Sequence, residues 1–132
     1  MAFLGKEYKF EKQENYDEFV KALGLTPEQT QSFINYRPNQ KIEQNGDTYT
    51  FTTVSPHATK ELTFKSGVTF DEKVIDRTCK TTFTIDGNTV TQVQKYDDGA
   101  ELTITRQYSG NDLTITIATN KSDVVARRYY KA

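Results

Sequence analysis

From Pro38 onward the hydrophobic period of this chain is two, and it stays two to the end. Ile42 sits between Gln40 and Gln44 on one parity, and Tyr49, Phe51 and Thr53 alternate with threonines. Leu62 and Phe64, then Val68 and Phe70, then Cys79, Thr81, Phe83 and Ile85 repeat the pattern. Val90, Gln92 and Gln94, then Leu102, Ile104 and Arg106, then Leu113, Ile115 and Ile117 carry it further. Asn45-Gly46-Asp47, Asp86-Gly87-Asn88, Asp97-Asp98-Gly99 and Ser109-Gly110-Asn111 separate these runs. Such stretches supply the positive φ of tight hairpin turns. Side chains of a strand alternate between faces. Short alternating runs at this spacing, about ten in all, predict an all-β barrel or sandwich.

One stretch departs from that period. Tyr8-Lys9-Phe10-Glu11-Lys12 opens as a half-buried strand. Tyr16, Phe19, Val20 and Leu23 then fall at i, i+3, i+4 and i+7, one helical stripe. Asn15 suits its N-cap, with Glu18 three residues on, and Gly24 suits its stop. Thr26-Pro27 restarts a helix with a capping threonine and proline at the first helical position. This second helix runs to about Asn35, before Pro38. The two form an αα-hairpin placed as a lid over one end of the strands.

At 132 residues the chain is expected to form one domain, 1–132. With 17 basic against 18 acidic residues it has no basic excess to favour a nucleic-acid partner. Cys79 is the only cysteine, so no internal disulfide forms, which fits a reducing cytosol. No secretory h-region opens the sequence and no run is long enough to span a bilayer.

Two positions raise an electrostatic problem. Arg106 shares parity with Leu102 and Ile104, which turns it inward. The last segment, Val124 to Ala132, places Arg127 with Val125 and Tyr129 on one face, and Arg128 with Tyr130 on the other. Its parity is open, because Val124 and Ala126 are apolar too. A guanidinium sealed in an apolar chamber is costly without an anion. Its forked donors match a carboxylate, and a tyrosine hydroxyl adds a third. Gln40, Gln92 and Gln94 fall on inward parity as polar lining.

The segment Lys6-x-Tyr8-x-Phe10-x(4)-Asn15-Tyr16-Asp17-x-Phe19-Val20-x(2)-Leu23 resembles the opening of the intracellular lipid-binding proteins, the fatty-acid-binding and cellular retinoid-binding family. Pro38-Asn39, Phe64-Lys65-Ser66-Gly67, Phe70-Asp71-Glu72, Val93-Gln94-Lys95 and the run Arg127-Arg128-Tyr129 extend the resemblance over the whole chain. Within the family it is most similar to insect midgut fatty-acid binders. The resemblance implies a ten-stranded antiparallel up-and-down barrel of two near-orthogonal sheets, capped by the helix-turn-helix lid. It implies a long-chain fatty acid inside, no cofactor and no metal. The family's carboxylate clamp carries over to Arg106, Arg127 and Tyr129. Tyr96 stands where many members have tryptophan, and His57 stands at a portal position that is commonly apolar. Tyr16, Val20, Phe51, Ile75, Phe83, Ile104, Ile115 and Ile117 are candidates to touch the tail. The entrance is expected between the helices and the turns near His57 and Asp76-Arg77.

These readings together describe a cytoplasmic monomeric carrier that makes at most transient membrane contact through its lid. Retinoic acid or another hydrophobic carboxylate is the nearest alternative cargo. An enzyme built on His57 and Cys79 is the other alternative. It is poorly served, because Cys79 shares parity with Phe83 and Ile85, where cysteine is an inert small hydrophobe.

Overall fold

The computed structural model describes residues 2–74 and 77–132. Among these, two short helices and ten strands follow one another in the order that the period predicts. The elements are β1 (Lys9–Glu14), α1 (Tyr16–Lys21), α2 (Pro27–Asn35), β2 (Asn39–Asn45), β3 (Thr48–Val54) and β4 (Thr59–Phe64). They continue with β5 (Thr69–Val74), β6 (Arg77–Asp86), β7 (Thr89–Lys95), β8 (Glu101–Ser109), β9 (Asp112–Thr119) and β10 (Ser122–Lys131). The ladders are antiparallel and join the strands into two sheets. One has the order β1-β10-β9-β8-β7-β6-β5, the other β2-β3-β4. An isolated bridge between Tyr8, the residue before β1, and Gln40 of β2 ties the two sheets at this edge.

The hairpins follow from local chemistry. Gly46, Gly87 and Gly110 lie in the turns after β2, β6 and β8 with φ of 67°, 59° and 60°, the left-handed region that a glycine enters without Cβ strain. The register of each hairpin then decides which side chains point inward, because opposed residues share a face.

The lid is built differently at its two starts. At α2 the Thr26 hydroxyl accepts from the Gln29 amide at 3.2 Å, and the Gln29 side chain accepts from the Thr26 amide at 3.3 Å, a complete capping box. At α1, Asn15 holds the N-cap position with φ 57° and makes no side-chain cap bond. Asparagine tolerates this left-handed conformation, and here it turns the chain out of β1 into the helix. Tyr16, Phe19 and Val20 of the predicted stripe are buried, and Leu23 packs half-buried against them. Thr26→Ala is expected to destabilise the protein by about 1 kcal/mol and lower Tm by roughly 3–5 °C in a thermal melt.

Opposite the lid the interior is solid. Phe3 stacks on Tyr108 with centroids 4.1 Å apart, and Tyr8 meets Tyr108 edge-on at 5.1 Å. Phe64 stacks on Phe83 at 4.3 Å, with Phe70 and Phe51 at 6.2 and 6.0 Å from Phe83. Tyr8, Phe64 and Phe70 therefore act as the plug that a closed barrel end needs.

Candidate functional site

Above the plug the sheets enclose a cavity of about 710 Å³, a volume in the range that holds one small-molecule ligand. Its walls are mostly apolar. Tyr16 and Val20 come from α1, Phe51 from β3, Ile104 from β8, and Ile115 and Ile117 from β9. Phe33 of α2 and Leu102 of β8 join them.

Two guanidiniums reach into this space. Arg106 on β8 is 5 % exposed. Its Nε donates to Gln40 Oε1 at 3.3 Å, while its Nη1 is buried without a partner. The rings of Phe51 and Phe83 lie 4.7 and 5.7 Å from the guanidinium carbon. Burial pulls the pKa of Arg106 downward, with Tyr108, Tyr130 and Glu72 acting against that shift. The second is Arg128 on β10, 6 % exposed. Its Nη2 donates to the Tyr36 carbonyl at 2.7 Å, and its Nε is buried and unpartnered. Tyr16 and Phe10 sandwich it at 4.3 and 4.9 Å. Tyr130 lies on the same inward face and is buried. Desolvation raises its pKa, so it remains a neutral hydroxyl at physiological pH.

Arg127 and Tyr129, expected to face the cavity, thus point out of it, and Arg128 and Tyr130 take the inward positions one residue on. Arg127 is exposed, and the Tyr129 hydroxyl donates outward to Glu14 at 3.3 Å. The ladder to β9 gives the reason. Ala126, Arg128 and Tyr130 oppose Ile117, Ile115 and Leu113, the inward row, whereas Arg127 and Tyr129 oppose Thr116 and Thr114.

Gln40, Gln92 and Gln94 all line the cavity, as parity predicts. Two tail or portal candidates do not. Phe83 is completely buried among Phe51, Phe64 and Phe70, too deep to line the hollow. His57 is exposed in the β3–β4 turn, outside the residues that line the cavity. Ile75 and Asp76 fall outside the described residues. Arg77 does line the rim, where its guanidinium covers the Tyr96 ring at 4.5 Å and pairs with Asp98 at 3.2 Å. Cys79 is buried, and desolvation pushes its thiol pKa up, away from a reactive thiolate.

Sequence reasoning assigned no role to Glu72. It is 6 % exposed on β5, and its Oε1 accepts from Thr81 at 2.8 Å, Gln94 at 3.0 Å and Gln92 at 3.2 Å. The signal was available, since Phe70, Glu72 and Val74 share one parity.

Residues 1–103 match the lipocalin / cytosolic fatty-acid binding protein family. Over 133 aligned residues the chain is 47% identical to fatty acid-binding protein 1 of Manduca sexta, covering 100% of both. It belongs to this family. Among solved family structures, the fatty-acid-binding protein isolated from Manduca sexta superposes with a TM-score of 0.91 at 44% identity, over 98% of this chain and 99% of that one. The fatty acid binding protein of Schistosoma mansoni, solved in complex with arachidonic acid, gives 0.87 at 30% identity over 98% and 95%. The barrel is therefore the family's own, and the family is one of lipid carriers rather than enzymes.

Proposed function

We propose that the protein binds and carries a long-chain fatty acid in its cavity, with Arg106, Arg128 and Tyr130 holding the carboxylate. The observation that carries this reading is the pair of buried guanidiniums with N–H groups still unpartnered, Arg106 Nη1 and Arg128 Nε. Among the described residues neither forms an ion pair with a carboxylate. By formal charge, two arginines and Glu72 leave one positive charge in the chamber, which one carboxylate neutralises. Charge-assisted bonds to a guanidinium are the strong class of hydrogen bond, and in a dry site they persist. The names of the relatives support the same cargo.

The tail supplies most of the affinity. About fifteen methylenes at ~0.8 kcal/mol each give roughly 12 kcal/mol before ordering costs. After those costs, dissociation constants between micromolar and nanomolar follow. Residues 1–132 act as one domain, a cytoplasmic monomer whose membrane contact is transient. The helical lid and the Arg77–Asp98 rim form the entrance, in place of the His57 turn.

The test uses delipidated full-length protein and displacement of a fluorescent fatty acid. Stearate is expected to compete at least tenfold better than stearyl alcohol, because only the acid uses the cationic pole. Equal competition removes the clamp. Retinoic acid is expected to compete more weakly than stearate, and the reverse order assigns the cavity to retinoids.

A further inference from the structure

Among the described residues the hollow carries a second group of charges, at its mouth and apart from the arginine pole. Lys60 is the second residue of β4 and Arg77 the first of β6, while Asp98 lies in the turn after β7 and Lys121 in the turn after β9. In an up-and-down barrel these positions fall at one end, and all four line the cavity together with residues of the helical lid. Register turns Lys60 inward. It opposes Thr53 as Leu62 opposes Phe51, and all four of these side chains line the cavity.

Counter-ions for this group are few. Both oxygens of Asp98 are engaged, since Oδ2 pairs with Arg77 at 3.2 Å and Oδ1 accepts from the Ala100 amide at 3.0 Å. Lys60 Nζ donates to the Lys73 carbonyl at 3.3 Å. Neither Lys60 nor Lys121 forms an ion pair among the described residues. By formal charge the mouth therefore holds three cations against one carboxylate. The acid group of the cargo does not reach this excess, because it is held at Arg106 and Arg128. The other end of the chain does. A methyl group there offers the two lysines nothing. An anion there pairs with them, and low-dielectric walls focus the field of cations grouped at a cleft.

We propose that Lys60 and Lys121 form a second subsite, at the cavity mouth, for a carboxylate on the far end of the bound chain. The cargo class is then long-chain dicarboxylic acids as well as plain fatty acids, with one acid group at the arginine pole and the other at the mouth. This rests on the carrier reading above.

Isothermal titration calorimetry on the delipidated full-length protein compares hexadecanoic acid, hexadecanedioic acid and the monomethyl ester of hexadecanedioic acid. The last two share a chain and a carboxylate for the pole, and they differ in the charge at the far end. Without a subsite the ester has the advantage, because the diacid strips water from a second carboxylate and gains no partner. Either end of the diacid can seat at the pole, which by itself offsets that loss by about twofold. With the subsite, the diacid is expected to bind about three- to tenfold more tightly than the ester, one molecule per chain, as two partly exposed ion pairs allow. High salt is expected to shrink that ratio. The double variant Lys60→Gln, Lys121→Gln is expected to return it to about twofold or below. A wild-type ratio below about threefold overturns the subsite, as does a ratio that the double variant leaves unmoved. Two ester molecules per chain overturn it too, since the mouth then takes the acid group of a second molecule. The wild-type comparison stands even if the variant does not fold. Failure of hexadecanoic acid to bind the wild-type protein is a different result: it overturns the carrier reading, and the subsite with it.

Discussion

Arg128→Gln is expected to weaken fatty-acid binding by about 10- to 100-fold, while Arg127→Gln changes it by less than about twofold. The first figure follows from removing one charged donor set, at about 1.5–3 kcal/mol, with each 1.4 kcal/mol about a factor of ten. Arg128 is pre-positioned for the task. Its Nη2 is spent on the Tyr36 carbonyl, and the rings of Tyr16 and Phe10 hold its plane, which leaves Nε to be satisfied. Little side-chain freedom remains to be lost on binding, so the interaction is delivered nearly whole. Arg127 sits on the outer face opposite Thr116, where water screens its charge. Fluorescent fatty-acid displacement on both variants measures the difference, with thermal melts to show that each is folded. A stearyl alcohol control should respond alike to both. Equal losses for the acid in the two variants would count against the register and the clamp together.

That pair of residues also shows where sequence reading stops. Arg127-Arg128-Tyr129-Tyr130 doubles each letter, so an Arg-x-Tyr pattern fits at two offsets, and a slip of one flips every side chain to the other face. What settles it is non-local: the pairing of Ala126, Arg128 and Tyr130 with the inward row of β9. Where the signal is local, the sequence was sufficient. Thr26-Pro27 with Gln29 carries a complete helix start in four residues, and the glycine turns carry the hairpins. Asn15 is intermediate, since its place at the helix start was legible but its left-handed backbone was not. Parity placed Gln40, Gln92, Gln94 and Arg106 correctly, because one buried face fixes the phase of a whole strand. Parity says nothing of depth. Phe83 and Ile104 both point inward, yet one lies in the plug and the other on the hollow, a difference set by which other hairpins bring rings alongside.

Phe83→Ala is expected to destabilise the protein by about 3–5 kcal/mol, lowering Tm by roughly 10–20 °C. Phe83 is completely buried, and its ring meets three others from three strands: Phe51 of β3, Phe64 of β4 and Phe70 of β5. β3 and β4 belong to one sheet and β5 and β6 to the other, so this stack joins the two sheets. Side-chain packing here substitutes for ladder bonds, since β4 and β5 are not neighbours in either sheet. Removing the ring leaves a void that the stiff strands around it cannot close, and the lost dispersion contacts add to the transfer term. Ile104→Val is the matched control, because it trims a half-buried side chain that already faces open space. Its loss should stay below about 1 kcal/mol, since Ile104 borders the cavity and a single methyl is removed. Urea titration of the delipidated variants separates the two cases, with an unchanged m-value showing that the same surface unfolds. A Phe83→Ala loss no greater than that of Ile104→Val would mean that the ring stack is not what holds the two sheets together at this end, and the stability would then have to reside in the β1–β10 seam and the Phe3–Tyr108 stack instead.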